Sequence, residues 1–314
     1  MTSISGRPLG SRVWIAVAIA SLVVIPREVQ GQSPPRGRTR VVMLGTGTPN
    51  ADPDRSGPAV AIVVDGRPYL VDAGPGVVRR AASAVRAGEK ALAVERLDIV
   101  FLTHLHSDHT VGLPDLLFTP WVLERAVPLR IFGPPGVNAM VGHLESAWRE
   151  DIRVRIDGRE HANRTGYQAR TTVVRPGVVY RDDKVTVKAF AVPHGDWKYA
   201  FGYRFETPDR VIVVSGDTRA SRAVVEACNG CDLLVHEVYS TARFRTRPPK
   251  WQAYHRNAHT STVELAALAR DARAKSLLLY HQLYWGATDA DLLREVREAG
   301  YRGPVASALD LGVY

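Results

Sequence analysis

Four residues able to bind a metal fall within six positions of His104-Leu-His106-Ser-Asp108-His109. Imidazole and carboxylate without thiolate suit zinc, with manganese or iron as alternatives. In an extended segment residues i and i+2 point the same way, so His104 and His106 can share one ion. Asp108 and His109 lie beyond a turn and can face a second. Three more candidates each stand one polar residue past an apolar run: His194, Asp217 and His281. Strand-end loops are where functional groups collect. Two cations about 3.5–4 Å apart would activate a water and clamp both oxygens of an in-line displacement.

The elements that must position these residues are short. Val41–Leu44, Val60–Val64, Tyr69–Asp72, Asp98–Thr103, Lys184–Val192, Tyr199–Glu206, Val211–Ser215, Asp232–His236 and Leu277–Tyr280 read as strands. Helical spacing covers Val77–Ala87, Gly112–Arg125, Gly136–Arg149 and Ser221–Ala227. Ser261-Thr-Val-Glu264 and Thr288-Asp-Ala-Asp291 read as capping boxes opening two last helices. Residues 151–175 are polar and give no element, and the stretch up to Thr260 reads as loop. Strands that meander without a steady parallel βαβ rhythm predict an α/β fold of two mixed sheets with helices outside.

The chain has 314 residues and a formal charge of +9. Two cysteines exclude a disulfide framework or a four-thiolate zinc site; Cys228-Asn-Gly-Cys231 fits a local disulfide or two inert thiols equally well. Arg7 and Arg12, a 13-residue apolar run Val13–Ile25 and a polar stretch ending in Gly31 have the layout of a secretory signal. The run is too short to span a bilayer, which takes about 20 residues. The reading is a signal over residues 1–31, a linker over 32–40 and a domain over 41–314. It makes the protein periplasmic or secreted without stable membrane insertion, an uncleaved anchor being the alternative. Without residues 1–40 the counts fall to 35 basic and 31 acidic, a net +4, so the charge gives no argument for a nucleic-acid partner.

The chain resembles metallo-β-lactamase-fold hydrolases of the ribonuclease Z and arylsulfatase-like branch. Leu44-Gly-Thr-Gly-Thr-Pro49, Leu70-Val-Asp-Ala-Gly-Pro-Gly76 and the His104–Gly112 motif carry the likeness. It implies an αββα four-layer sandwich and two zinc ions. It further implies that His104, His106 and His194 hold one ion, Asp108, His109 and His281 the other, and Asp217 bridges. Val235-His236-Glu237 and His259-Thr260-Ser261 resemble two further motifs, in which Glu237 orients His259 as proton donor to a leaving oxygen. The resemblance also implies a homodimer. Asp72 fits a residue supporting a ligand or fixing a turn, His236 a packed residue, and His143 and His161 the surface.

Asp217 stands where β-lactamases of this fold carry Cys or no carboxylate, and His106 where the redox di-iron branch carries Glu. His194 and Asp217 are 23 residues apart, too close for the tRNA-gripping insertion of the tRNA-processing enzymes. Thr241–Arg256 holds Arg243, Arg245, Arg247, Lys250 and Arg256 among Phe244, Trp251, Tyr254 and His255. Such a loop could grip an anionic aromatic substrate by cation attraction and stacking, or be a solvated Arg-Pro loop. Trp197 and Tyr199 fit pocket walls or core. The expectation is an exported dinuclear zinc hydrolase of a small anionic ester, arylsulfatase- or phosphodiesterase-like, acting through an activated hydroxide, with Asp108, His259 and Glu237 as its catalytic residues. The alternatives are a ribonuclease Z-type endoribonuclease and a periplasmic metal- or ligand-binding protein on a hydrolase scaffold.

Overall fold

The computed structural model describes Thr2 and residues 38–314. In the first sheet β1 (Thr39–Gly45), β2 (Ala59–Val64) and β3 (Arg67–Val71) run antiparallel. From β3 the pairing turns parallel through β4 (Ile99–Phe101), β5 (Leu129–Gly133) and β6 (Ala169–Val173). The second sheet repeats the scheme. Strands β7 (Gly177–Arg181), β8 (Thr186–Ala191), β9 (Phe201–Glu206) and β10 (Val211–Val214) are antiparallel. Beyond β10 lie parallel β11 (Leu233–Tyr239), β12 (Leu277–Leu283) and β13 (Val305–Ser307).

Strands buried on both faces read as continuous apolar runs because alternate residues enter different cores. In β1, Val41 and Met43 enter the layer between the sheets, while Val42 and Leu44 face the outer helices. Across the middle layer Phe101 meets Phe205 edge-on at 5.6 Å. Helices α1 (Val77–Arg86), α3 (Leu113–Val122) and α4 (Val137–Ala147) cover the outer face of the first sheet, with α2 (Ser107–Thr110) and α5 (Arg149–Asp157) between and after them. On the second sheet α6 (Arg222–Cys228), α9 (Thr262–Asp271) and α10 (Asp289–Glu298) do the same. The order of layers is helix, sheet, sheet, helix: the αββα sandwich.

Some elements depart from the sequence reading. Strand β1 begins at Thr39, inside the stretch read as linker, and pairs with Val64 at once. The uninterpreted stretch 151–175 contains most of α5 and all of β6. The loop before Thr260 is instead a helical pair, α7 (Thr241–Phe244) and α8 (Pro249–Ala258). Its prolines open α8 rather than break it, because the first helical turn needs no N–H from them. Both capping boxes form, and Cys228 and Cys231 are joined as a disulfide. The stretch read as a signal, and the linker up to residue 37, lie outside the described residues. Among the described residues no helix is long and apolar enough to cross a membrane.

Candidate metal centre

Every candidate ligand but His281 follows the end of a strand. Chain leaving β4 stays extended to His106, which opens α2 at φ −60° and ψ 148°. His104 and His106 therefore turn inward together, while Asp108 and His109 lie within α2. His194 follows β8 and Asp217 follows β10. Gly216 sits between β10 and Asp217 at φ 61°, where a Cβ would lie 2.6 Å from the Phe201 carbonyl oxygen. Only glycine lets that strand end come so close to Thr103.

His281 is not past the end of its strand, as the sequence suggested. Strand β12 runs on to Leu283, and its register against β11 slips between Glu237 and Val238, leaving His281 unpaired at φ 45°. A bulge is a device for re-aiming one side chain. Here it turns His281 toward Asp108, Nε2 to Oδ2 3.2 Å.

The ligand atoms form two groups about Asp217. His106 Nδ1 lies 2.9 Å from His104 Nε2 and 3.1 Å from His194 Nε2. Asp217 Oδ2 is 4.0 Å and 3.9 Å from the same His104 and His194 atoms. On the other side His109 Nε2 is 3.5 Å from Asp108 Oδ2 and 3.4 Å from Asp217 Oδ1. His281 Nε2 lies 3.4 Å from Asp217 Oδ2. Ligands at zinc distances on a tetrahedron stand about 3.3 Å apart, so both groups are spaced for an ion. Buried His109 Nε2 and Asp217 Oδ1 have no hydrogen-bond partner in the protein. Buried polar atoms left so are expensive unless something else satisfies them. The donor set fits a metal.

Supporting contacts fix the rings. His109 Nδ1 faces Asp72 Oδ2 at 2.8 Å, leaving Nε2 for an ion. Asp72 holds the uncommon φ of 62° while its carboxylate accepts from the Thr103 N–H at 2.8 Å and the Thr103 hydroxyl at 2.9 Å. His194 Nδ1 donates to the Ala258 carbonyl at 2.8 Å. Burial holds His104 well below the ordinary imidazole range and pushes His106 and His194 down to about 4, the neutral state a ligand needs. Burial opposes the charge on Asp217, but the neighbouring His281, His109 and His104 outweigh it and hold the carboxyl well down.

His259 and Glu237 come together as the resemblance implied. Glu237 is fully buried; its Oε1 accepts from the N–H groups of Thr218 and Thr260, both at 3.1 Å, and lies 3.3 Å from His259 Nδ1. That last pair is close but not aligned as a hydrogen bond, and His259 Nδ1 is otherwise unpartnered. Burial, then Asp217, raises Glu237 well above the usual carboxyl range; burial pushes His259 down to about 4. His259, Asp217 and His281 are also spaced to form a metal-binding group of their own.

The centre opens into a cavity of about 530 Å³ lined by Arg247, Trp251 and Tyr254 as expected. His255 of the same segment lines it too, as do Asn50, Leu283 and Trp285, which were not foreseen. Trp197 lines an adjoining cavity of about 350 Å³ with His106 and Tyr254, its Nε1 2.6 Å from His106 Nε2. Tyr199 is exposed, as are Arg243 and Arg245, which do not reach the cavity. On the far side of Ser107 and Asp108 a third cavity, about 520 Å³, runs along Thr48–Gly57. Its wall is pinned by Asp310, whose carboxylate accepts from the N–H groups of Thr46 and Ser56 at 2.9 and 2.8 Å. His143 and His161 are exposed and His236 is packed at 0% exposure.

Residues 67–282 match the family described as Beta-lactamase superfamily domain. A ribonuclease Z of Mycobacterium bovis is 34% identical over 245 residues, spanning 77% of this chain and 85% of that protein. The chain belongs to the metallo-β-lactamase-fold superfamily, in its ribonuclease Z branch. Solved structures add the fold. The metallo-β-lactamase fold protein YhfI from Bacillus subtilis superposes with a TM-score of 0.69 at 18% identity, covering 88% of this chain and 100% of its own. The short form of human tRNase Z superposes at 0.64 with 24% identity, covering 88% and 98%.

Membership in this branch makes the chain a metal-dependent hydrolase acting on ester bonds. It also corrects two expectations. The arylsulfatase-like reading, with its small anionic ester, gives way to the ribonuclease Z alternative, because the match to ribonuclease Z runs through most of the domain. The short spacing from His194 to Asp217, filled here by β9 and β10, bore on one insertion only. The match to ribonuclease Z also overturns the periplasmic or secreted placement, which was attached to the exported arylsulfatase-like enzyme.

Proposed function

We propose that this chain is a ribonuclease Z-type endoribonuclease that hydrolyses a phosphodiester of RNA at a centre of two zinc ions. The observation that carries the reading is the grouping of six candidate ligands on the two sides of Asp217, the seventh. His104, His106 and His194 would hold one ion and Asp108, His109 and His281 the other, with Asp217 between them. When bound, the pair supplies Lewis-acid charge and lowers the pKa of a water toward neutrality. The relatives named ribonuclease Z support RNA as the substrate class.

The protein groups then act around the scissile phosphate. His259 borders both the cavity and Glu237. A phosphate anion beside His259 favours its protonated form, opposing the effect of burial. The ring can then pass a proton to the departing oxygen, with Glu237 standing 3.3 Å from its Nδ1. Thr218 and Thr260 hold that carboxyl in place through their N–H groups. Arg247 adds positive charge at the cavity wall.

The test is His259→Ala on the zinc-loaded enzyme with a structured RNA. Turnover should fall about 10²- to 10⁴-fold while elemental analysis still finds two metals per chain. Loss of one metal would make His259 a ligand, as its spacing to Asp217 and His281 allows. Failure of the zinc-loaded wild type to cleave RNA would overturn the reading.

A further inference from the structure

The helical pair α7–α8 stands over the metal centre with more positive charge than the protein uses. Arg243, Arg245, Lys250 and Arg256 are exposed and Arg247 is partly so. Among the described residues none of the five has a carboxylate within 4.0 Å, whereas most arginines elsewhere in the fold are paired or bonded. Arg247 lies over the ring of Trp285 and Arg256 over that of Phe244, but cations packed into 14 residues without a carboxylate repel one another, so the cluster costs stability unless a polyanion offsets it. Two large aromatics share the surface: Trp251 is 45% exposed and Tyr254 40%, although each is a residue type that folding usually covers.

The rings form a row leading inward. Trp251 and Tyr254 lie 5.9 Å apart, and Tyr254 is 6.1 Å from the buried ring of His259. The segment is held in shape from within, since Gln252 Nε2 donates to the carbonyls of Arg247 at 2.8 Å and Arg245 at 3.3 Å.

Resting on the endoribonuclease reading, we propose that α7–α8 is the dock for a single-stranded segment of the RNA beside the scissile phosphate. Bases stack on Trp251 and Tyr254, and Arg243, Arg245, Lys250 and Arg256 take the backbone phosphates. Stacking rings with cations alongside are the means by which proteins hold unpaired strands without reading sequence. A duplex keeps its base faces covered and cannot use the rings.

The experiment measures binding by the zinc-loaded protein to a labelled single-stranded oligoribonucleotide with phosphorothioate linkages, and to a blunt RNA duplex of equal length, across a salt series. For the strand, the triple variant Arg243→Gln, Arg245→Gln, Arg256→Gln should bind at least about tenfold more weakly. Its log–log salt slope should be smaller by about 2, at about 0.7 per lost phosphate contact. Trp251→Ala should weaken strand binding about fivefold or more, leave the duplex unchanged and be restored by Trp251→Phe. Wild-type affinity and slope in the triple variant would overturn the dock, as would equal loss of duplex and strand in Trp251→Ala. A wild type that binds the strand with the expected slope but cuts no RNA would overturn the enzymatic reading and leave the dock standing.

Discussion

Asp72 shows how one residue can matter to a centre it does not enter. It carries a backbone conformation that costs about 1–3 kcal/mol outside glycine, and its carboxylate meets Thr103 and His109. That outlay secures the ring of His109 with Nε2 facing Asp217. Asp72→Ala should therefore weaken metal binding about 10- to 100-fold, read by competition with a chromogenic chelator. Unchanged affinity would reduce Asp72 to a turn residue. The sequence located Asp72 and all seven candidate ligands because each is a polar residue interrupting or ending an apolar run. It could not see that His281 owes its direction to a slip in β-pairing, since register is a property of two strands.

Between elements, the decisive contacts are those that hold one sheet against the other. Asp182, in the turn from β7 to β8, accepts from the hydroxyl of Tyr69 on β3 at 2.7 Å and of Tyr180 on β7 at 2.9 Å. It also accepts from the N–H groups of Lys184 and Val185, both at 2.9 Å. Burial raises its carboxyl pKa, but these four donors outweigh burial and leave it lowered. A lowered folded value stabilises the protein above the unfolded value of about 3.9, and the gain is lost as pH falls through the folded value. Asp182→Asn should cost about 1.5–3 kcal/mol at neutral pH, and the gap in Tm from wild type should shrink on the acid side of about pH 4. A gap independent of pH would mean the amide fails for another reason. None of this was legible in the sequence, where Asp182 falls outside every element that the residue pattern gives. The helix α8 escaped for a related reason: it is mostly polar or aromatic and opens on two prolines, so hydrophobic spacing had little to register.

At the scale of the whole molecule, buried Arg125 does for the first sheet's outer layer what Asp182 does between the sheets. Its guanidinium, at 1% residue exposure, donates to the carbonyls of Leu97, Leu116, Leu117 and Gly166 at 2.7–2.9 Å. Burial pushes its pKa down to about 10, still charged at neutral pH. Arg125→Met keeps the bulk but strands four buried acceptors, so stability should fall by at least about 3 kcal/mol. In a domain of this size that is a drop of about 6–12 °C in Tm. A smaller loss would mean that water replaces the guanidinium.

The sequence by itself determined the chemistry available and the fold class. The spacing of His104, His106, Asp108 and His109 limits them to metal binding, and strands apolar on both faces need helices outside two sheets. Those are local properties of residue type and period. Only the tertiary structure decided which atoms meet: Asp217 between two groups of ligands, Glu237 beside His259, and a basic helical pair over the cavity. Each depends on pairing between segments more than 20 residues apart in the chain. Such pairing is set by the packing of the two sheets, which no single segment encodes.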